Sequence, residues 1–247
     1  MFDISMLVVT GFAFLLAGFV KGVIGMGLPT VAVAVLTLAM PPALAAALYV
    51  LPAIATNAWQ SVAGPSLIPL LRRLGTMFVG VIVGIWFGAG MLTGDTRGHA
   101  AVALGIALAA YAAFGLLSPA LSVPRKWEVW LSPLVGLTTG LITGATGIFI
   151  IPAVPYIQAL QMEREELIQA LGLSFLIATS TLALVLARAG ILGAEVAAIS
   201  LVAIVPAVIG MYIGQIFRTR ASPALFRRCF FLGMLALGLN LASRAFR

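Results

Sequence analysis

Long apolar segments separated by short polar stretches run along the whole chain, and the first covers about residues 4 to 40. At 1.5 Å per residue, a single helix of that length would measure about 55 Å, nearly twice the hydrocarbon thickness of a bilayer. The segment must therefore break or turn back. We predict the break at residues 22 to 29, where glycines cluster before Pro29, because both residue types disfavour a continuous helix.

The later apolar segments predict a helix bundle with two similar halves. In the first half we expect helices at about 43–63, 76–93 and 99–117, with Arg72 and Arg73 in a loop before the second of them. In the second half an apolar run at about 131–160 is broken at 144–147. Helices should then follow at about 166–187, 193–217 and 226–243.

The two glycine-rich breaks repeat each other. Three glycines in each superpose at one constant spacing: Gly18, Gly22 and Gly25 on Gly140, Gly144 and Gly147. After a slip of one residue, Pro29 falls on Pro152, and the pair Thr56/Asn57 falls on Thr179/Ser180. This match predicts an internal duplication. It divides the chain into a first transmembrane repeat (1–117), a cytoplasmic linker (118–130) and a second transmembrane repeat (131–247).

Composition decides the class of protein. The 247 residues are 62% hydrophobic and 9% charged, so they cannot hide their apolar side chains in one soluble core. We therefore predict an all-α polytopic membrane protein in contact with the lipid bilayer. The net charge of +7 does not indicate nucleic acid, because the arginines lie in short loops where the membrane accounts for them. No leading Lys or Arg precedes the first apolar run, so we expect no cleavable signal peptide.

The distribution of Lys and Arg predicts the topology. If each broken run crossed once, the halves would be parallel, and one of the two most basic loops (72–73 and 218–228) would face outside. If each run makes two passages or a re-entrant hairpin, the halves are inverted and the basic loops all face the cytoplasm. We therefore predict two inverted repeats in the cytoplasmic membrane, each with a glycine-broken helix or helical hairpin plus three transmembrane helices. Both termini should then lie outside.

Broken helices in inverted repeats are typical of secondary transporters, whose substrate site lies near mid-membrane where the two breaks meet. A broken helix presents unpaired N–H groups and the positive end of its dipole, which suit an anion. We predict substrate-binding residues at the breaks and on the helices that follow them. They are Lys21, Gly25, Met26, Gly27, Asn57, Gln60, Thr143, Thr146, Gly147, Thr179 and Ser180.

Each of these residues also admits an ordinary structural role. The glycines could simply allow close helix packing, and Lys21 could extend its stem to the lipid headgroups. Ser and Thr hydroxyls commonly bond to their own helix. The sequence alone leaves these alternatives open.

Several functions are disfavoured by what the sequence lacks. The seven carboxylates all fall in termini, loops or predicted helix ends, so no proton relay of the usual kind is expected inside a span. No Gly-Lys-Ser/Thr sequence exists for a Walker loop. With one His and one Cys, a multi-ligand Cys/His metal site is excluded, and we expect neither an enzyme nor a cofactor.

Two G-x-x-x-G-x-x-G stretches, each leading to a Pro and followed by a helix with a Thr-Asn or Thr-Ser pair, resemble the TauE/SafE family of sulfite and organosulfur anion exporters. The segment IGMYIGQIFRTRASPALFRR at 209–228 is similar to the second-half signature of that family. The resemblance covers nearly the whole chain. It implies a tandem-duplicated helical membrane fold that moves sulfite, sulfoacetate and related anions.

We therefore expect a secondary transporter that exports sulfite or a small organosulfonate by alternating access. An anion channel, or a non-transporting membrane subunit of a larger complex, is the alternative. A homodimer is compatible with the sequence.

Overall fold

The computed structural model describes residues 4–24, 26–94, 98–117, 121–218 and 223–243. Within these ranges the chain forms eleven α-helices. Their bounds are α1 (Ile4–Ile24), α2 (Leu28–Leu36), α3 (Pro42–Val62), α4 (Leu67–Thr93), α5 (His99–Leu117), α6 (Arg125–Thr146), α7 (Ala153–Ala159), α8 (Arg164–Arg188), α9 (Ala194–Val202), α10 (Ile204–Arg218) and α11 (Pro223–Ala242).

Seven helical segments in the described ranges are long and apolar enough to cross a membrane. They are Met6–Ile24, Pro42–Val62, Leu67–Thr93, His99–Leu117, Arg125–Thr146, Glu165–Arg188 and Ala194–Phe217. The chain is therefore an all-helical, multi-pass membrane protein, which confirms the class predicted from its composition.

Both predicted breaks occur, and each has a glycine in a left-handed backbone conformation. α1 ends at Ile24, and Gly27 precedes α2 with φ 101°. α6 ends at Thr146, and Gly147 caps it with φ 80°. Glycine adopts this conformation without the steric cost that other residues meet, so the positions of the breaks follow from the sequence.

The prediction of a loop around Arg72 and Arg73 was wrong, because both residues lie inside α4. α4 has 27 residues and is about 40 Å long, which exceeds the roughly 30 Å hydrocarbon core. α6 begins at Arg125, so its first six residues lie within the segment 118–130. Hydropathy marks where a helix enters the hydrocarbon core, and these helices continue beyond that point.

The single helix predicted at 193–217 is divided at Ala203 into α9 and α10. Pro206 explains the division, because it lacks an N–H group and its ring crowds the carbonyl of Val202 four residues earlier. A second helix proline has a different outcome. Pro52 inside α3 cannot donate to the Leu48 carbonyl, and the Ser200 hydroxyl of α9 donates to that oxygen instead, at 2.7 Å.

Two helix pairs pack through glycines at backbone distance. A methyl group added to Gly84 of α4 would meet the backbone of Leu137 on α6, and one added to Gly140 of α6 would meet the backbone of Val81. α1 and α10 are packed in the same way, with Gly18 against Ala207 and Gly22 against Met211. Close packing through small residues of this kind is typical of helix pairs in membranes.

We call one end of the bundle the basic end: there α3 ends and α4, α6 and α8 begin. Arg73 and Glu128, near the starts of α4 and α6, form a bidentate pair with both N–O distances at 2.8 Å. The chain returns to this end after the second break, because the Val123 N–H donates to the Ala159 carbonyl at 3.0 Å. Segment 147–160 therefore runs back along α6 to the basic end.

Candidate functional site

A cavity of about 800 Å³ lies between α1, α3, α8 and α10. Its lining includes Lys21 on α1, Gln60 on α3, Gln169 on α8 and Gln215 on α10. The cavity reaches the basic end of the bundle, because Gly64 and Glu165 also line it. This chamber has polar groups on each of its four walls and opens at the surface of the bundle, where Trp59 and Val208 are 75% and 43% exposed.

Lys21 is the cation of this chamber. Its side chain is buried, with 7% of its surface exposed, and its ammonium donates to Thr56 Oγ1 at 3.0 Å and to Asn57 Oδ1 at 2.8 Å. Both acceptors are neutral, and within the described ranges no carboxylate lies at ion-pair distance from the ammonium. Such a buried cation lacks the negative partner that would offset the loss of its hydration.

Asn57 has an unpaired hydrogen-bond donor beside Lys21. Its amide oxygen accepts from the ammonium, while its Nδ2 atom is buried and has no hydrogen-bond partner in the described part of the molecule. The other acceptor, Thr56 Oγ1, is held in place because the same hydroxyl donates to the Pro52 carbonyl at 2.9 Å. Lys21 lines the cavity, and the unpaired N–H of Asn57 belongs to the amide group that its ammonium contacts. Ammonium and amide N–H groups are both donors from which an oxyanion can accept.

Two glutamines hold the wall formed by α3 and α8. The Gln60 amide donates to the Ile168 carbonyl at 2.8 Å. Gln169 donates to the carbonyls of Ser61 and Gly64, at 2.7 and 2.9 Å, and accepts from the Ser66 N–H at 2.8 Å. These bonds satisfy the backbone where α3 ends, so the mouth of the cavity has a fixed shape.

Gly22, at the start of the predicted first break, lines this cavity, whereas Met26 and Gly27 lie outside its lining. A methyl group added to Gly27 would lie 3.7 Å from the Phe230 ring of α11, and the Tyr111 hydroxyl of α5 lies 3.9 Å from Met26 Sδ. Gly25 falls outside the described residues.

The predicted residues of the second break also lie outside the cavity lining. Thr143 and Thr146 are buried, and their hydroxyls donate to carbonyls of their own helix. Gly147 accepts the Tyr49 hydroxyl at 2.6 Å and packs against Ala46, in the first half of α3. The cavity is lined by the second half of α3, so the structure does not bring the second break to Lys21.

On α8, the Thr179 hydroxyl bonds to the Phe175 carbonyl of its own helix, and Ser180 is exposed. Of the residues that the sequence singled out, the structure brings Lys21, Asn57 and Gln60 to the cavity or its immediate edge. Among the described residues, no three His, Cys, Asp or Glu side chains lie close enough to hold a metal ion.

A scan against protein-family models matches residues 10–241 to the family described as Sulfite exporter TauE/SafE. The chain belongs to the TauE/SafE sulfite exporter family. Searches of curated proteins and of solved structures returned no match. This assignment confirms the resemblance found in the sequence and makes the chain a member of a membrane transporter family.

In this TauE/SafE chain, the sequence reasoning missed three residues that shape the cavity or the second break. Gln169 and Gln215 line the cavity, and Tyr49 holds the carbonyl of Gly147. One signal could have found the glutamines: each is an uncharged polar side chain inside an otherwise apolar helix, which usually faces a partner or a cavity. Tyr49 carries no comparable signal, since a tyrosine in an apolar helix is common in a core.

Proposed function

We propose that the protein is a secondary transporter that exports sulfite or a small organosulfonate by alternating access. The observation that carries this proposal is the Lys21 ammonium, which is buried beside the 800 Å³ cavity and donates to two neutral oxygens, with no carboxylate at ion-pair distance among the described residues. An anion that enters the cavity supplies the missing negative charge. It can accept from Lys21 while Thr56 and Asn57 hold the ammonium in place.

Sulfite and the small sulfonates fit this site by their chemistry. Their oxygens accept several hydrogen bonds at once, and their charge pairs with one ammonium group. The described lining has a single cation, Lys21, and Glu165 stands near the basic end of the chamber. One cation favours a small anion of low charge over a polyphosphate. The family described as sulfite exporter supports the same substrate class.

We further propose that residues 1–117 and 131–247 are inverted repeats joined by the 118–130 linker. The glycine contacts support this proposal, because they recur in matched pairs. A methyl group added to Gly18 would meet the Ala207 oxygen, and one added to Gly140 would meet the Val81 oxygen. One turn later, Gly22 faces the Met211 oxygen and Gly144 faces the Ile85 oxygen in the same way. A twofold operation that exchanges α1 with α6 and α10 with α4 reproduces both seams.

The directions of the helices favour inversion over a parallel duplication. Contacts between α1 and α10 advance together along both helices, so these helices are parallel. Gln215 of α10 lines the same cavity as Gly64, so α10 and α1 run toward the basic end, whereas α6 starts there. The equivalent helices α1 and α6 therefore run in opposite directions, as an axis in the membrane plane requires.

This arrangement supports a proposal of alternating access. The cavity extends from Lys21 to the basic end. By the positive-inside rule, we propose that this end is on the cytoplasmic side of the cytoplasmic membrane. We propose that this is the inward-facing arrangement. In the outward-facing arrangement the second break, with Thr143, Thr146 and Gly147, would approach the anion from the other side, together with Thr179 and Ser180.

The test is counterflow into proteoliposomes. Vesicles with the purified protein are preloaded with unlabelled sulfite, sulfoacetate, sulfate or chloride, and entry of radiolabelled sulfite is followed. We expect acceleration by internal sulfite or sulfoacetate. Lys21→Met should lower the initial rate about 10- to 100-fold, since it removes a charge-assisted hydrogen bond to the anion.

Lys126→Met is the matched control, because Lys126 is exposed at the start of α6 and lies outside the cavity lining. Its rate should equal that of the wild type. Equal rates for Lys21→Met and the wild type, with both inserted correctly, would refute the role of Lys21. Flux that no internal anion stimulates would favour the channel alternative, and absence of all flux would favour a subunit that needs a partner.

A further inference from the structure

A charged pocket and an apolar groove meet between α4 and α6 at the basic end. The pocket, of about 670 Å³, is lined by Arg72, Arg73, Thr76, Arg125, Glu128 and Glu166, among others. The groove, of about 620 Å³, runs along the same seam and is lined mainly by Gly75, Val79, Gly80, Val83, Pro133 and Leu137. Arg72 and Thr76 line both spaces, so the pocket and the groove are continuous.

The pocket has an excess of positive charge. Its three arginines face two glutamates, and the bidentate pair between Arg73 and Glu128 neutralises one of each. Arg72 and Arg125 form no ion pair within the part of the chain that the structure describes. Two exposed guanidinium groups therefore remain against the one carboxylate of Glu166, and this excess of positive charge favours an external anion.

The depth of these spaces matches the boundary of a bilayer. α4 is about 10 Å longer than the hydrocarbon core, and Arg72 lies in its second turn. On α6, Trp127 and Trp130 are 55% and 79% exposed, and exposed tryptophans concentrate at the membrane interface. The charged pocket thus lies at the level of lipid headgroups, and the groove lies at the level of acyl chains.

We propose that the pocket and groove bind one anionic phospholipid. Arg72 and Arg125 hold its phosphate, and one acyl chain lies in the groove along Gly75, Val79 and Leu137. The site is separate from the Lys21 cavity, so this proposal stands whether or not the protein carries sulfite.

A second copy of the chain fits this surface less well than a lipid. A twofold dimer through this seam would bring Arg72 and Arg125 close to the same residues of the other copy, and these like charges would repel. The groove also includes Gly75, where an added methyl group would meet no atom within 4 Å, so the space there is open. A flexible acyl chain can fill such a channel.

The test is native mass spectrometry of the full chain after incubation with equal amounts of phosphatidylglycerol and phosphatidylcholine. We expect the wild type to retain one phosphatidylglycerol in preference to phosphatidylcholine. Arg72→Gln and Arg125→Gln should each lower that preference about fivefold, because each basic residue near an anionic surface contributes about a factor of five in affinity. Lys126→Gln removes the same charge next to Arg125 but outside the pocket, so it should change the preference little.

The groove is tested by filling it. Gly75→Leu places a side chain in the open channel without a backbone clash, so the protein should fold and lose the retained lipid. Gly90→Leu is the control, since Gly90 is also in open space on α4 but away from the groove. The proposal is overturned if the wild type does not distinguish the two lipids, or if the arginine variants behave like Lys126→Gln. It is also overturned if Gly75→Leu retains the lipid, or if a lipid-free dimer covers this seam.

Discussion

The Lys21 side chain is central to the proposed function. A lysine inside an apolar helix costs free energy on membrane insertion, about 2.5–3.5 kcal/mol at mid-membrane on translocon scales. In this protein it is bonded to Thr56 and Asn57, neither of which can neutralise it. A buried cation with neutral neighbours is a poor device for stability and a good one for holding a transient anion.

Replacing Asn57 with Asp tests this interpretation at constant side-chain shape. The new carboxylate would take the place of the amide oxygen that lies 2.8 Å from the Lys21 ammonium. It would form an internal ion pair with Lys21 and repel an incoming anion. We expect external unlabelled sulfite to compete with radiolabelled sulfite for entry at least about tenfold more weakly than in the wild type.

Ser61→Ala is the control for that experiment. Ser61 lies one turn further along α3, and its hydroxyl donates to the Asn57 carbonyl within the same helix. Its removal should leave competition by sulfite unchanged. If Asn57→Asp retained wild-type competition, Lys21 could not be the counter-charge of the substrate.

At the level of elements, close packing at glycines joins two pairs of helices. Gly84 and Gly140 let the backbones of α4 and α6 touch, and Gly18 and Gly22 do the same for α1 and α10. In lipid there is little hydrophobic force between helices, so close backbone packing has to supply much of the stability.

We expect Gly84→Ala to destabilise the protein. The added methyl group would collide with the backbone of Leu137, which cannot move aside like a flexible side chain. Overpacking of this kind costs about 1–3 kcal/mol, or roughly 2–4 °C in melting temperature for each kcal/mol in a chain of this size. Thermal unfolding of the purified protein in detergent measures it.

Gly90→Ala, on the same helix, provides the comparison. Its added methyl group meets no atom within 4 Å, so only a small gain in helix propensity is expected. Equal melting temperatures for the two variants would show that the α4–α6 seam does not depend on glycine.

At the level of the whole molecule, the Lys and Arg residues of the described ranges are distributed unevenly between the two ends. Arg72, Arg73, Arg125 and Lys126 lie at the basic end, where the cavity also emerges. At the other end, the Arg188 guanidinium stacks on the Trp86 ring, 5.1 Å from its centroid. This asymmetry is the basis for placing the basic end in the cytoplasm.

Cysteine labelling in intact cells measures that orientation. In a Cys229→Ser background, Ala189→Cys at the end of α8 should react with a membrane-impermeant maleimide from outside. Lys126→Cys should react only after the membrane is permeabilised. Labelling of both positions from outside would contradict the inverted arrangement, because it would place the starts of α6 and the end of α8 on one side.

The sequence by itself determined the class of this protein, its family and the positions of its two breaks. These features are local or compositional: apolar segments too long for one crossing, glycines before a proline, and a motif matched along the chain. The bounds of α3, α5 and α8 also follow closely from hydropathy. Local hydropathy failed where helices extend beyond the hydrocarbon core, as at Arg72, and where Pro206 divides a segment that is apolar throughout.

Only the tertiary structure decided which polar residues share a site. The sequence singled out Lys21, Asn57 and Gln60 together with Thr146 and Gly147, but the first three meet at one cavity while the other two pack elsewhere on α3 or bond to their own helix. Contacts such as those of Gln169 with the end of α3 join residues more than 100 positions apart. No local pattern encodes such a distance, because it depends on how the helices cross and on the depth at which each side chain meets its neighbour.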